Sequence, residues 1–348
     1  MKKIFIAVLA LAAVAACNKA EVVEQNPANA ITFDNVFVDN AVKSVSDPSY
    51  TNTNLFSDFA VFGFVEGASL FNNVTVSKAI TNTELTKSLW KYEGTQYWIA
   101  GAKYNFSAVA PKTNGNWTNA TASAEGVSFD FTNNGKLDLL YAQTPQIEGK
   151  ASANDVVGFT FHHVLSKVKL SFENGYNASS ATLRVENVKI ENAFATGKVE
   201  LKGETTTWDT HAGVLELAFG MATDNEATAD VKEDAKVAYA YGKTYETQNE
   251  LFLIPGAVPS KEVTVDETTK TVNGYYVSFD VVLLVSGKEI HTYHHTASVD
   301  FTPEAGKCYD IKATVTASNI DPDHAQEPIE FTVTTLNDWT AADSNPTI

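Results

Sequence analysis

The sequence predicts an all-β protein built from two β-sandwich domains. Apolar and polar residues alternate with a period of two in many segments, and no long segment after the N-terminus has the 3.6-residue period of a helix. Thr, Val, Tyr and Phe, which favour strands, are frequent. Clusters of Gly, Asn, Asp and Pro separate the alternating segments, as turns do.

The first 16 residues are predicted to be a cleaved signal peptide. Two lysines precede the apolar segment 4–14, which is too short to span a bilayer. The small residues Ala15 and Ala16 follow, and then Cys17, so that V-A-A-C resembles a bacterial lipobox. That resemblance implies cleavage between Ala16 and Cys17 and acylation of the Cys17 thiol. The alternative is an ordinary signal peptide with a chance cysteine.

Two polar segments set the predicted domain boundaries. Residues 17–30 are polar and alanine-rich, and are expected to tether the fold to the lipid. The segment 146–155 is polar, contains glycine and has no periodicity, so it is the best linker candidate. We therefore predict an N-terminal β-sandwich over residues 31–150 and a C-terminal β-sandwich over residues 151–348, each of a usual size for such domains.

Strands are predicted wherever the alternation is clear. The candidate strands are 31–37, 59–65, 104–110, 127–131, 137–142, 237–241, 251–254, 277–285, 311–315 and 329–333. In the segment 159–172 the apolar residues change from odd to even positions, which predicts a β-bulge near Ser166 and Lys167. A second change, between Val185 and Val188, predicts another bulge.

The first of these bulges would make both halves of one long strand face the same core. The residues expected in that core, the one of the C-terminal sandwich, are Phe161, Leu165, Val168 and Leu170.

Composition excludes several classes of function. The formal net charge is −17 and Arg184 is the only arginine, so a nucleic-acid-binding face is not expected. The only cysteines are Cys17 and Cys308, which excludes a disulfide-rich scaffold and a multi-cysteine zinc site. If Cys17 carries lipid, Cys308 is expected to be a free thiol with a structural role.

No motif for catalysis or cofactor binding is found. The sequence lacks a G-x-S-x-G elbow, an H-E-x-x-H helix, a P-loop and a dinucleotide fingerprint, so no enzymatic activity, cofactor or metal is predicted. On a strand, His294 points away from His291 and His295, so the three cannot converge on a metal. The D-P-D-H segment 321–324 is interpreted as a turn, with weak calcium binding as the alternative.

Five local patterns occur in order along nearly the whole chain. They are Trp90 with Tyr97-Trp98 and Tyr104-Asn105-Phe106-Ser107-Ala108 up to Pro111; Asp138-Leu139-Leu140-Tyr141-Ala142; the segment 159–168; Leu253-Ile254-Pro255-Gly256; and Ala305-Gly306-Lys307-Cys308-Tyr309, with Trp339 near the C-terminus. Together, behind a lipobox, they resemble the fimbrillin family, the type V pilus subunits of Bacteroidetes and their fimbrillin-like lipoproteins.

This resemblance implies two transthyretin-like β-sandwiches and a structural or adhesive role in a surface pilus (fimbria) at the outer membrane. In the family, a protease removes an N-terminal strand from a lipoprotein precursor, and the C-terminal segment of another subunit fills the groove. Here the removed strand would be 31–38 and the donor 329–339. The apolar residues of that donor are Ile329, Phe331, Val333 and Trp339. Implied partners are other pilus subunits, the outer membrane through the lipid, and a receptor on a host or bacterial surface.

The sequence departs from the family at the maturation site. Well-known members are cut after an arginine that follows the first strand, but no arginine precedes Arg184. Lys43 lies at the corresponding place, before Ser44. This leaves two outcomes: cleavage between Lys43 and Ser44 by a lysine-directed protease, or an uncleaved anchor or accessory subunit that keeps its lipid.

The alternative function is a surface lipoprotein that binds glycans through its tryptophans and does not polymerise. Trp90 and Trp98 are expected to fill the N-terminal core instead. Trp117, in a polar loop, is the best candidate for an exposed sugar contact.

Overall fold

The structure is a computed structural model that describes ten stretches of the chain. They are residues 29–38, 56–78, 90–150, 156–220, 237–247, 249–258, 261–265, 268–272, 274–320 and 329–336. Within these ranges the protein is all β, apart from short turns of 3₁₀ helix such as Ala317–Asn319. The prediction of an all-β protein is therefore confirmed. The predicted signal peptide, residues 1–16, lies outside the described residues.

The strands are numbered in chain order. They are β1 (Phe33–Val38), β2 (Asp58–Val65), β3 (Ala68–Lys78), β4 (Trp90–Tyr92), β5 (Lys103–Ala110), β6 (Trp117–Ser123), β7 (Gly126–Thr132), β8 (Leu140–Gln143), β9 (Ile147–Glu148), β10 (Val157–His163), β11 (Ser166–Asn174), β12 (Ala181–Lys202), β13 (Thr205–Ala218), β14 (Thr244–Glu246), β15 (Leu251–Leu253), β16 (Lys261–Val265), β17 (Thr268–Val272), β18 (Tyr275–Val285), β19 (Lys288–Val299), β20 (Cys308–Val315) and β21 (Phe331–Leu336).

The first sheet has the order β1-β10-β8-β5-β2-β3-β4, with β9 beside β5. It curls so that its two ends meet. Ala30 forms a β-bridge with Tyr97, and the Tyr92 hydroxyl of β4 donates to the carbonyl of Ile31 at 2.9 Å. One face of this sheet therefore closes around its own interior.

That interior is rich in aromatic rings, and we name it the N-terminal core. Its buried residues are Ile31, Phe33, Val36, Phe56, Phe59, Val61, Phe71, Val76, Trp90, Trp98, Tyr104, Phe106, Ala108, Ala110, Leu140, Ala142, Val157, Phe159 and Phe161. Alternation places every second residue of each strand in this interior, because side chains of a strand point to opposite faces. The expected burial of Trp90 and Trp98 in this core is confirmed.

The remaining strands form a sandwich. The second sheet has the order β14-β11-β20-β21 with β15 beside β11, and the third has the order β19-β18-β12-β7-β6 with β13 beside β12. Phe172 of β11 meets Phe279 of β18 with ring centroids 4.9 Å apart, so these two sheets face each other. The pair β16–β17 forms a separate two-stranded sheet.

A second buried cluster, the sandwich core, lies between these sheets. It includes Phe62, Val109, Tyr141, Phe129, Phe131, Leu165, Val168, Leu170, Phe172, Leu183, Val185, Val188, Ile190, Phe279, Val281, Ile311 and Ile329. Phe62, Val109 and Tyr141 come from the outer face of the first sheet. That sheet therefore contributes to both cores.

The prediction of a bulge near Ser166 and Lys167 is wrong. The segment is two strands of different sheets: β10 pairs with β1 and β8, whereas β11 pairs with β14, β15 and β20. Val164 and Leu165, between them, are both buried. The parity changes because the chain passes from one sheet to another, and Phe161 consequently lies in the N-terminal core, apart from Leu165.

The second predicted bulge is confirmed. The register of β12 against β18 shifts between Glu186 and Lys189, and this keeps Val185 and Val188 both buried. Strand pairing also crosses the predicted domain boundary at residues 150 and 151 in both directions, since β10 joins the first sheet and β7 joins β12. The division into domains at that point stays a prediction, and the sheet boundaries do not coincide with it.

Candidate site of strand exchange at the terminal strands

Strand β1 fills the N-terminal core from the edge of the first sheet. Ile31 is 1% exposed, Phe33 1% and Val36 6%. Phe33 touches rings from both ends of the curled sheet, since its centroid lies 5.9 Å from that of Phe159 and 5.5 Å from that of Tyr92. Removal of this strand would open the N-terminal core to solvent.

The backbone of this segment is held on two sides. Beyond the first sheet's last strand, the Ile31 amide donates to the carbonyl of Gln96 at 2.8 Å, and the Trp98 amide donates to the carbonyl of Asn29 at 3.0 Å. On the other side, β1 pairs in parallel with β10 from Phe33 onward. The segment therefore occupies a slot between β10 and residues 96–98.

The pairing of β1 with β10 contains a bulge. Phe33 is opposite Val157 and Val36 is opposite Phe159, so three steps along β1 match two steps along β10. A bulge of this kind inserts one residue into one strand, and here it shifts the register of β1 against β10 by one residue between Asp34 and Val36. On the β10 side, residues 157–161 follow one another without an extra residue, as in a regular strand.

Within the described residues, strand β21 forms the outer edge of the second sheet and pairs antiparallel with β20 alone. Ile329, just before the strand, is 3% exposed, whereas Phe331 and Val333 are half-buried. The Phe331 ring lies 6.2 Å from that of Phe172 and 6.0 Å from that of Phe279. In this chain the segment proposed as a donor thus covers the rim of its own sandwich core.

The two terminal strands belong to different sheets and different cores. The structure therefore does not bring the removable strand and the donor together within one chain. The residues predicted for processing, Ala16, Cys17, Lys43 and Ser44, lie outside the described residues, as does Trp339. Their roles remain predictions.

The thiol beside the donor strand is buried. Cys308 opens β20, opposite the last residue of β21, and is a free cysteine. Burial raises the pKa of the Cys308 thiol to about 11, so the unreactive protonated form prevails at neutral pH. This agrees with the structural role predicted for it.

The histidines of β19 point to different sides of the strand. His295 is buried and stacks on Phe279, whereas His294 is exposed with its Nδ1 2.6 Å from Asp280 Oδ1. Among the described residues no group of three His, Cys, Asp or Glu could hold a metal ion. The segment 321–324 lies outside them.

Trp117, the predicted sugar contact, is half-buried. Its indole N–H donates to the carbonyl of Pro111 at 2.9 Å, and its ring lies 5.4 Å from that of Phe129. Trp208, one of the five tryptophans considered as sugar-stacking surfaces, lines an open cleft between the first sheet and the sandwich. Its neighbours there include Gly256 and Gly306, which belong to two of the family patterns but carry no sequence signal of a site.

The comparisons with known proteins point to one family. A sequence model of the family described as fimbrillin-like matches residues 47–339. A search of curated proteins finds no match. In the described part of the chain, no helix has the length and apolar character needed to cross a membrane.

A search of solved structures finds matches among proteins of Bacteroides and Porphyromonas. A Bacteroides uniformis protein with a provisional description as a cell adhesion protein has 16% identity and a TM-score of 0.45, over 91% of this chain and 100% of its own. A Bacteroides ovatus protein with the same description has 15% identity and a TM-score of 0.45, over 89% and 96%. The fimbrial anchor protein Mfa2 of Porphyromonas gingivalis has 11% identity and a TM-score of 0.36, over 89% and 97%. On the match of the family model, this chain belongs to the fimbrillin-like family.

Proposed function

We propose that the protein is a structural or adhesive subunit of a surface pilus, exported as a lipoprotein and assembled by donor-strand exchange. The role is non-enzymatic. The precursor is acylated at Cys17 and held at the outer membrane, facing outward. Removal of β1 then opens the slot between β10 and residues 96–98, and the C-terminal segment of another subunit fills it. The main support for this proposal is that the two terminal segments contain the same apolar residues in the same order.

The donor repeats the apolar residues of the strand that it would replace. The first segment reads Ile31-Thr-Phe33-Asp-Asn-Val36, and the last reads Ile329-Glu-Phe331-Thr-Val333. Isoleucine, phenylalanine and valine occur in the same order, and the single extra residue of the first segment coincides with its bulge. A donor without a bulge would therefore set Phe331 opposite Val157 and Val333 opposite Phe159.

Side-chain burial favours such an exchange. In its own chain Phe331 is half-buried, but the position of Phe33 is 1% exposed and surrounded by rings. Full burial of a large apolar side chain contributes about 1.5–3 kcal/mol relative to exposure. Phe331 and Val333 would gain burial in the slot, and Ile329, already 3% exposed in its own chain, would keep its burial. These side chains, together with the backbone hydrogen bonds of β10, would hold the donor.

Processing sets the role within the pilus. Cleavage between Lys43 and Ser44 would release the lipid together with β1 and give a polymerising subunit. A chain that is not cut keeps both and would serve as an anchor or accessory subunit. N-terminal sequencing of protein taken from the cell surface distinguishes these two, because its first residue is either Cys17 or Ser44.

The proposal is tested with a recognition site for a sequence-specific protease placed between Lys43 and Ser44. We expect the uncut protein to be monomeric and the cut protein to form oligomers that resist dissociation, as measured by light scattering. Phe331→Asp should abolish the oligomers because it places a charge in the apolar slot. Thr332→Asp adds the same charge on the exposed side of the same strand and should leave them intact. Cut protein that stays monomeric at high concentration contradicts strand exchange, as does equal assembly of the two variants.

A further inference from the structure

An open cleft of about 990 Å³ lies where the first sheet meets the sandwich. Its walls come from β10, the β12–β13 hairpin and two loops, 255–256 and 303–306. The volume is at the upper end of the range of about 300–1,000 Å³ that is typical of small-molecule sites. None of the residues that line it belongs to β1 or β21, although Thr160 of β10 lies opposite Phe37 of β1.

The indole of Trp208 is fixed on one wall of the cleft. Its Nε1 donates to the carbonyl of Val164 at 2.9 Å, and its ring lies 5.9 Å from that of Phe131. A Cβ atom on Gly197 would approach the Trp208 ring to 3.0 Å, so the indole lies directly over this glycine. The half-exposed ring is thus held in one orientation before any ligand arrives.

A second ring is fixed on the same strand. His211 stacks on Phe194 with centroids 4.2 Å apart and ring planes 21° apart. Its Nε2 lies 2.8 Å from the carbonyl oxygen of Pro255, which can only accept, so Nε2 carries the hydrogen. Gly256 allows this close approach, since a Cβ there would lie 3.0 Å from His211 Cε1. Two half-buried rings of β13, each held by its own contacts, therefore line the cleft.

The polar groups of the cleft suit hydroxyl groups. Glu204 and Glu304 are exposed carboxylates at its rim, and Thr160 and Thr206 add hydroxyls that can donate or accept. Of the residues that line the cleft, all of them in the described part of the chain, none is lysine or arginine. With a chain charge of −17, an anionic ligand would be repelled.

We propose that this cleft binds a neutral carbohydrate. The apolar C–H face of a sugar ring would lie on the indole of Trp208, and its hydroxyls would donate to Glu204 and Glu304. Fixed aromatic surfaces beside a few polar groups provide orientation without a large cost in side-chain entropy. An extended peptide is less suited to the β10 wall, because β10 already pairs with β1 at residues 157–161 and with β8 at His162 and His163.

The test uses the full-length monomer with Cys17→Ser. The probes are maltotetraose, cellotetraose, mannotetraose and xylotetraose as neutral sugars, 3′-sialyllactose as an anionic sugar, and a synthetic peptide of residues 329–336. Binding is measured by calorimetry and by tryptophan fluorescence. We expect at least one neutral tetrasaccharide to bind, and 3′-sialyllactose and the peptide not to bind in the cleft.

Two kinds of variant locate the site. Trp208→Ala should weaken binding of that sugar about tenfold or more, because it removes the stacking surface. Trp117→Ala is the matched control: Trp117 is also half-buried, donates to a backbone carbonyl at 2.9 Å and packs on a phenylalanine, but it lies outside the cleft. Glu304→Gln, at an exposed position, should weaken binding several-fold without affecting the fold.

The proposal is overturned if no neutral sugar binds, if Trp208→Ala weakens binding no more than Trp117→Ala, or if 3′-sialyllactose binds more tightly than the neutral sugars. Peptide binding that Trp208→Ala abolishes would assign the cleft to a polypeptide and would also overturn it. If Trp208→Ala fails to fold, Glu304→Gln decides, and unchanged sugar affinity in that variant counts against the site.

Discussion

Phe33 of β1 stacks on Phe159 of β10 with ring centroids 5.9 Å apart and ring planes 18° apart. The same ring meets Phe71 and Phe106 at 5.5 and 6.0 Å. With Tyr92 of β4, one side chain from an edge strand thus contacts rings of four other strands of the curled sheet. The N-terminal core depends on β1 for its closure, so a strand that took the place of β1 would need a similar side chain at this position.

Phe33→Ala should destabilise the precursor by about 3–5 kcal/mol, because it leaves a cavity among rings that cannot collapse around it. Urea unfolding followed by fluorescence gives the change in the free energy of unfolding. Asp34→Ala, at the next and half-buried position, is the control and should change stability far less. A loss below about 1 kcal/mol for Phe33→Ala would mean that β1 is not integral to this core.

The N-terminal core also has no room for an added methyl group at Gly63. A Cβ there would lie 2.7 Å from Phe71 Cδ2 and 2.9 Å from Phe106 Cδ1, and both rings are buried. Gly63→Ala should therefore cost about 1–3 kcal/mol through overpacking. Thermal unfolding of this variant and of Gly63→Ser should show the larger loss for serine, which adds a hydroxyl to the same clash. An unchanged melting temperature in both would be inconsistent with this packing.

Much of the fold follows from alternation, and the exceptions have physical reasons. Val277, Phe279, Val281 and Leu283 are buried as expected and Val285 is half-buried, because one side of β18 faces the sandwich core. The change of sheet at Val164 and Leu165 was misinterpreted because a bulge and a sheet crossing produce the same shift in parity. The long β12–β13 hairpin was not predicted, since β13 is rich in threonine and mostly exposed, with Val214 68% exposed.

The candidate sites were predictable to different degrees. The terminal strands could be predicted from the sequence because each is a short segment of alternating apolar and polar residues near one end of the chain. Their edge positions, and the parallel pairing of β1 with β10, depend on contacts between distant segments that periodicity does not encode. The cleft was missed for the same reason: Trp208, Thr160 and Glu304 come from three separate segments, and no local pattern links them.

Acidification should destabilise the protein partly through His295. Burial against Phe279 lowers the pKa of His295 to about 4, and this outweighs the opposing attraction of Asp280. The unfolded chain, with a histidine pKa of about 6.5, binds the proton more tightly. The contribution of the neutral His295 is therefore complete above about pH 6.5 and is lost as the pH falls from about 6.5 to 4, by at most about 1.4 kcal/mol per pH unit.

Comparison of two histidine variants isolates this effect. His295→Phe should unfold with a shallower pH dependence between about pH 6.5 and 4, measured as the free energy of unfolding at several pH values. His291→Gln, which changes an exposed histidine of the same strand, should retain the dependence of the unmodified protein. If the free energy of unfolding changes equally steeply with pH in His295→Phe and in the unmodified protein, His295 is not the cause of the pH dependence.

Lipid attachment is expected at Cys17 alone. Cys17→Ser should abolish incorporation of labelled palmitate in bacterial cells and release the protein from the membrane fraction. Cys308→Ser is the control, because Cys308 is buried and its thiol is protonated at neutral pH. Labelling that persists in Cys17→Ser, or that disappears in Cys308→Ser, would contradict the predicted lipobox.

The slot that β1 occupies should accept a strand without a bulge. Deletion of Asn35 removes the extra residue between Asp34 and Val36, and the pairing of Phe33 with Val157 and of Val36 with Phe159 can remain as it is. We therefore expect this deletion to change the free energy of unfolding by no more than about 1 kcal/mol, because a regular strand replaces a bulged one in the same register.

Deletion of Thr32 provides the contrast. It would move Ile31 by one position relative to Phe33, and a shift of one residue turns a side chain to the other face of a strand. The contacts of Ile31 with Gln96 and Tyr92 would then be lost, with a large loss of stability. If the Asn35 deletion costs as much as the Thr32 deletion, the slot requires the bulge. The regular segment Ile329-Glu-Phe331-Thr-Val333 could then not take the place of β1 in the register proposed here.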